Sequence, residues 1–105
     1  MRIVAIVQSR LNSTRLPRKA LVDIGGSPML AHVIHRAKTI DGVEQVFVAV
    51  PSDDGFQELS YVGDRCRVVT VPGDPDDVLA RYVRVAHIFP ADAYMRITGD
   101  CPLLS

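Results

Sequence analysis

What this chain is short of sorts it first. No apolar run approaches the length of a bilayer span, and the amino terminus lacks the charged-then-apolar layout of a secretory signal. Basic and acidic side chains balance at 12 each, so a general polyanion binder is not indicated and nucleic acid is not an expected partner. Only two cysteines are present, Cys66 in an apolar strand pattern and Cys101 in an expected loop, without a paired spacing. Reduced thiols in a cytoplasmic protein with no membrane partner are the expectation. His32 and His35 stand three apart on an expected helix, but no Cys or acid joins them at ligand spacing, so zinc is not indicated. Neither G-x-G-x-x-G nor a Walker-type lysine motif occurs, which disfavours dinucleotide and P-loop chemistry. Repeats, linkers and low-complexity stretches are also missing.

One further absence is local. No acid precedes Asp23, although residues 1–40 carry seven cations, Arg2, Arg10, Arg15, Arg18, Lys19, Arg36 and Lys38. Residues 41–105 reverse the balance, with five arginines against eleven acids. A basic site on a neutral body suits a small anionic ligand. The cations cluster after Ile3–Val7, a continuous apolar run that reads as a strand buried on both faces. The loop that follows, Gln8 to Lys19, adds the hydroxyls of Ser13 and Thr14. A basic, hydroxyl-bearing loop at the carboxyl end of a buried strand is where an open α/β sheet binds phosphate.

The remaining pattern alternates helix and strand. Ser27 is expected to cap a helix that has Pro28 in its first position and Leu30, Val33, Ile34 and Ala37 inward, and Asp41-Gly42 to end it. Val46–Val50 reads as a second strand stopped by Pro51. Ser52 caps a shorter helix with Phe56, Leu59 and Val62 inward and Gly63 as its stop. Arg67–Val71 is a third strand, and Pro72-Gly73 a turn. Asp74 caps a third helix, with Asp76-Asp77 at its positive end and a stripe of Val78, Tyr82, Val85, Ala86 and Phe89. Ala93–Ile97 is a fourth strand. A core-forming composition, 48% hydrophobic, and short connections together predict one domain's worth of α/β structure with a mostly parallel sheet.

Two motifs then carry a resemblance. Ser13-Thr14-Arg15-Leu16-Pro17-Arg18-Lys19, followed by Asp23-Ile24-Gly25-Gly26-Ser27-Pro28-Met29, resembles the opening of the cytidylyltransferases that activate sugar acids, such as the 3-deoxy-manno-octulosonate and acylneuraminate cytidylyltransferases. Gln8-Ser9-Arg10 and Arg96-Ile97-Thr98-Gly99-Asp100-Cys101-Pro102-Leu103 resemble the branch named for spore coat polysaccharide biosynthesis. The likeness runs the length of the chain in order. It implies a Rossmann-like nucleotide-diphospho-sugar transferase fold with strand order 3-2-1-4 in this portion.

It also implies a reaction: a sugar-acid hydroxyl attacks the α-phosphate of CTP, releasing pyrophosphate and forming a CMP-sugar for surface polysaccharide or glycan assembly. On that match Lys19, Arg10 and Arg15 are the catalytic cations, and Ser13 and Thr14 further triphosphate contacts. Arg81 is a nucleotide contact and Asp100 the ligand of Mg²⁺. Arginine's planar fork suits phosphate oxygens, lysine acts as a point charge, and a hard carboxylate takes magnesium. Two departures stand out. Arg18 occupies a place where the family usually has Gly, which either alters the loop backbone or adds a phosphate contact. Thr98 stands where relatives often carry Gln.

Family members continue well past position 105, with a sugar-binding half, a second metal carboxylate and a dimerisation element. Residues 1–105 therefore read as the amino-terminal nucleotide-binding portion of a nucleotidyltransferase domain. Such a portion is expected to be weak or inactive alone, to leave a sheet edge unpaired, and to belong to a homodimer in full-length form. Two other readings are a nucleotide-binding module without turnover and a glycosyltransferase of similar fold. The second would use Asp74-x-Asp76 as a metal motif.

Overall fold

A computed structural model describes residues 1–11, 18–53 and 55–98. Its centre is β1, Ile3–Gln8, whose Val4, Ala5, Ile6 and Val7 are at most 1% exposed. A strand apolar at every position must be covered on both faces, and this one is. It lies between two parallel neighbours, β4 (Val43–Pro51) and β6 (Ala93–Thr98). β5 (Val69–Gly73) pairs parallel with β4 on the outside, giving the order β5-β4-β1-β6. Counting these four strands in chain order, that is 3-2-1-4, as expected.

The crossovers are α1 (Met29–Lys38), α2 (Phe56–Arg65) and α3 (Val78–Ile88). Ala5, Val7, Val48 and Val50 pack with Leu30, Ile34, Leu59 and Val62, so α1 and α2 cover one face. Val4, Ile6, Phe47, Ala49 and Val71 pack with Val85 of α3, and Tyr82 and Phe89 close in on the other. The alternation of strand residues between these two clusters is the period of two that β geometry imposes. Among the described residues β6 pairs only with β1, leaving its outer side as an edge.

Local boundaries depart from the sequence reading in instructive ways. Ser27 does not cap α1. It pairs with Ile24 in a hairpin of β2 (Asp23–Ile24) and β3 (Ser27–Pro28), whose turn needs positive φ at both Gly25 (63°) and Gly26 (97°). Pro28 becomes the extended residue before the helix instead of its first turn. α2 starts after Gly55 rather than Ser52, and it runs through Gly63 to Arg65. Gly63 is a packing glycine, because a Cβ there would overlap the Thr70 hydroxyl. Cys66 is the buried residue after that helix and Arg67 adopts φ 61°, so neither is in a strand.

Pro72 and Gly73 continue β5 instead of turning, opposite Val50 and Pro51; an edge strand tolerates proline there. The cap of α3 is Asp77, whose side chain accepts the Ala80 N–H at 3.1 Å. Asp74 instead accepts the N–H groups of Asp76 and Asp77 at 2.8 and 3.2 Å, building the loop before the helix.

Candidate functional site at the carboxyl edge of the sheet

From β1 the chain crosses to β4 and then β5 on one side, and α3 carries it back to β6 on the other. The reversal falls between β1 and β6, and ligands of open α/β sheets bind in the crevice outside the strand ends at such a point. β1 and β6 end there in register, Gln8 opposite Thr98.

What leaves β1 at that point is the basic loop. Ser9 is buried, with its N–H donated to the Ala49 carbonyl at 3.1 Å, which extends the β1–β4 ladder by one bond. Arg10 is exposed and Leu11 buried. Leu11 accepts the Arg18 N–H at 2.9 Å, and Lys19 then starts a 3-10 turn, Lys19–Leu21. Arg10 and Lys19 are thus the immediate neighbours of one backbone bridge: Arg10 precedes Leu11 and Lys19 follows Arg18. Ser13, Thr14, Arg15 and Asp100 lie outside the described residues.

Arg18 takes φ 61° and ψ 24°, the left-handed region that glycine enters freely. The backbone has therefore kept a glycine-like conformation with an arginine in it. Its guanidinium lies 3.7 Å from the Glu58 carboxylate of α2, both side chains well exposed. Two contributors went unnoticed in the sequence. One is Glu58. The other is Gly55, where an added Cβ would stand 2.5 Å from Leu11 Cβ, so α2 begins hard against the base of the loop. A glycine directly after Asp53-Asp54 was the available signal of close approach, but nothing in sequence spacing pairs it with Leu11.

Arg81 is 1% exposed. Its Nη1 donates to the carbonyls of Asp74 (2.6 Å) and Pro75 (3.3 Å) in the loop after β5, instead of standing in solvent as helix arginines usually do. Beside that loop the Ser52 N–H donates to the Gly73 carbonyl at 2.8 Å, joining the ends of β4 and β5. A cavity of about 560 Å³ lined by Ser52, Asp53, Phe56, Gln57 and Pro72 opens there.

Among the described residues no three His, Cys, Asp or Glu side chains converge as a metal site. Asp74 is committed to its own loop, so Asp74-x-Asp76 is built as a turn and not as a cation site. His32 Nε2 donates to the Ile24 carbonyl at 2.6 Å and braces the hairpin. Among the described residues the chain leaving β1 carries the exposed Arg10 and the half-buried Lys19, cations of a kind that fits phosphate. A divalent ion needs carboxylate from elsewhere, and Asp100 falls outside the described residues. No described helix is long and apolar enough to cross a membrane.

The fold has counterparts among known proteins. The chain is 36% identical over 101 residues to the 3-deoxy-manno-octulosonate cytidylyltransferase of Escherichia coli, covering 96% of this chain and 40% of that protein. Against the enzyme of the same name from Geobacter sulfurreducens it is 36% identical over 104 residues, covering 99% of this chain and 41% of the other. It superposes on a cytidylyltransferase from Leptospira borgpetersenii serovar Hardjo-bovis with a TM-score of 0.91 and 28% identity, covering all of this chain and 44% of that one. A second solved structure, CMP:2-keto-3-deoxy-manno-octonic acid synthetase complexed with CTP, gives 0.85 and 32%, covering 99% of this chain and 42% of that one. The chain thus spans about 40% of the length of the curated relatives it matches. The sequence signature of the cytidylyltransferases matches residues 4–105, and the chain belongs to that family.

Proposed function

We propose that this chain is the nucleotide-binding portion of an enzyme that transfers CMP from CTP to a sugar acid, releasing pyrophosphate. The observation that carries the reading is the place of the cationic loop: Arg10 and Lys19 flank the Leu11–Arg18 bridge at the β1–β6 switch point. It is supported by the family, and by a relative whose structure was solved with CTP.

The work of such a site is positioning and charge neutralisation. Lys19 offsets the charge that develops on the departing pyrophosphate. Arg10 and Arg15 hold the triphosphate, with Ser13 and Thr14 donating hydroxyl hydrogen bonds. The sugar-acid hydroxyl attacks the α-phosphorus directly, so no covalent enzyme intermediate forms. A magnesium ion on Asp100 would neutralise phosphate charge when bound. The product serves surface polysaccharide or glycan assembly in the cytoplasm, by a homodimer in full-length form. Because the chain spans about 40% of its curated relatives, turnover by these 105 residues alone is expected to be weak or nil even where nucleotide binds.

Thermal stabilisation tests the reading. A ligand that binds the native state raises its melting temperature as RT ln(1 + [L]/Kd). CTP should shift melting more than ATP, GTP or UTP, and Lys19→Ala should abolish most of the shift. Equal shifts with all four, or none with CTP, would count against it. Pyrophosphate release by a longer parent protein separates an enzyme from a module that only binds.

A further inference from the structure

A second opening lies at the amino end of the sheet, away from the crevice described above. β4 begins at Val43, but β5 first pairs with it at Val69, opposite Phe47. Among the described residues Val43–Val46 therefore have β1 on one side and no strand on the other. A cavity of about 290 Å³ occupies that notch. It is lined by Glu44, Gln45 and Val46 of β4, by Lys38 at the end of α1, and by Arg67 and Val68 between α2 and β5.

The charges on its wall are of one sign once pairs are removed. Glu44 gives its carboxylate to Arg2, 2.9 Å away. Lys38 and Arg67 have no carboxylate in ion-pair reach among the described residues. Lys38 Nζ donates to the Cys66 carbonyl at 2.6 Å, which holds the ammonium in place and leaves its other N–H groups available. The neighbouring cation Arg65 is engaged elsewhere, with its guanidinium over the Tyr61 ring.

Arg67 is the unexpected choice. It takes φ 61° where α2 ends, with its own N–H donated to the Asp64 carbonyl and that of Val68 to the Gly63 carbonyl, both at 3.0 Å. Glycine is the ordinary residue at such a helix end, because a Cβ is penalised in the left-handed region. Ending the helix alone would be served better by glycine. Strained positions of this kind gather at functional sites. What the strain secures here is a guanidinium on the wall of the same cavity as Lys38.

We propose that this notch is an anion site, separate from the crevice at the carboxyl edge, and that it takes a phosphate group. Arg67 offers a planar fork to the phosphate oxygens and Lys38 a point charge. Inorganic phosphate and a small phosphomonoester share that chemistry, and the cavity has room for the organic body of the second. An occupied site ties the end of α1 to the start of β5. The inference does not rest on the nucleotide reading.

Two-dimensional NMR of the isotope-labelled chain, titrated with inorganic phosphate, reads the two ends of the sheet separately. The amides of Gln45, Arg67 and Val68 should shift along a saturating curve of their own, whatever those of Arg10 and Lys19 do. Glycerol phosphate distinguishes the sources: tighter binding than inorganic phosphate supports a carried group, and equal or weaker binding supports the free ion. Arg67→Gly should weaken the notch response about ten-fold or more, yet melt at or above wild type without ligand, since glycine relieves the backbone. Lys38→Gln should weaken it similarly, and decides the matter if Arg67→Gly does not fold. No saturating shift at the notch, or wild-type affinity in both variants, would overturn the inference. Equal shifts with sodium chloride at matched ionic strength would reduce the effect to screening and overturn it as well.

Discussion

The backbone N–H of Arg18 donates to the carbonyl of Leu11 at 2.9 Å, and Leu11 is itself wedged against Gly55 at the start of α2. Leu11 and Arg18 are therefore fixed to each other, and Leu11 to a helix on the α1–α2 face of the sheet. Whatever the basic loop binds, its base is set by packing. Side chains far from any phosphate should then govern affinity, and this can be tested.

Gly55→Ala places a methyl group 2.5 Å from Leu11 Cβ, and Leu11 is buried. Overpacking of this kind costs about 1–3 kcal/mol. The variant should melt lower and also bind CTP more weakly than its lost stability explains. Gly55→Ala with Leu11→Ala should recover part of the stability. A CTP affinity equal to wild type in the single variant would show that the base of the loop does not set binding.

At position 18 a left-handed backbone opposes a Cβ. Arg18→Gly and Arg18→Ala both lose the exposed pair with Glu58, which is worth little, about 0–1 kcal/mol. Only glycine relieves the strained φ of 61°. The glycine variant should be more stable than the alanine variant by about 1 kcal/mol, which at this size is roughly 4–8 °C in melting temperature. Equal melting temperatures would mean the loop relaxes around either residue.

Gly63 reverses the usual rule for helix interiors. Glycine to alanine in a helix ordinarily gains about 1 kcal/mol, yet here the new methyl would overlap the Thr70 hydroxyl. That hydroxyl is buried and has no hydrogen-bond partner among the described residues. Gly63→Ala should therefore destabilise, whereas Gly63→Ala with Thr70→Ala should be close to wild type. Chemical denaturation of the three variants gives the cycle directly.

Burial raises the Cys66 thiol above its ordinary 9.0, against the opposing pull of Lys38 and Arg65, and raises the Tyr82 phenol above its ordinary 10.0, against Arg96 and Arg81. Both groups hold their protons longer in the folded chain than in the unfolded one. Stability from this source is complete below about pH 9 and is lost as pH rises, first through the thiol range and then through the phenol range. Cys66→Ala should flatten the first part of the decline and leave the second. A stability that rises between pH 9 and 10 would contradict the burial of the thiol.

The sequence told most where hydrophobic periodicity is unambiguous. β1 is apolar at successive positions and flanked by polar residues, so its burial on both faces and the parallel sheet followed directly. Boundaries were less legible because several residues have two good uses. Ser27-Pro28 suits a helix start and equally a hairpin strand, and the two positive-φ glycines before it decided for the hairpin. Asp74 and Asp77 are both good caps, and the helix begins from Asp77, three positions beyond Asp74. Arg81 shows the limit at the site. The resemblance makes it a nucleotide contact, and only the fold reveals that its guanidinium reaches back to two carbonyls. Glu58 and Gly55 meet the loop through tertiary packing, which no local pattern encodes.

The central strand is also the first one made. β1 finds neither neighbour until β4 is synthesised some forty residues later, and its second flank stays bare until β6, near position 98. Long-range parallel pairing of this kind is slow, because chain closure must precede any reward from contact. During synthesis Ile3–Val7 would stand as an unprotected β-prone segment, and a nascent chain arrested before β6 should be prone to aggregate or to need a chaperone's cover.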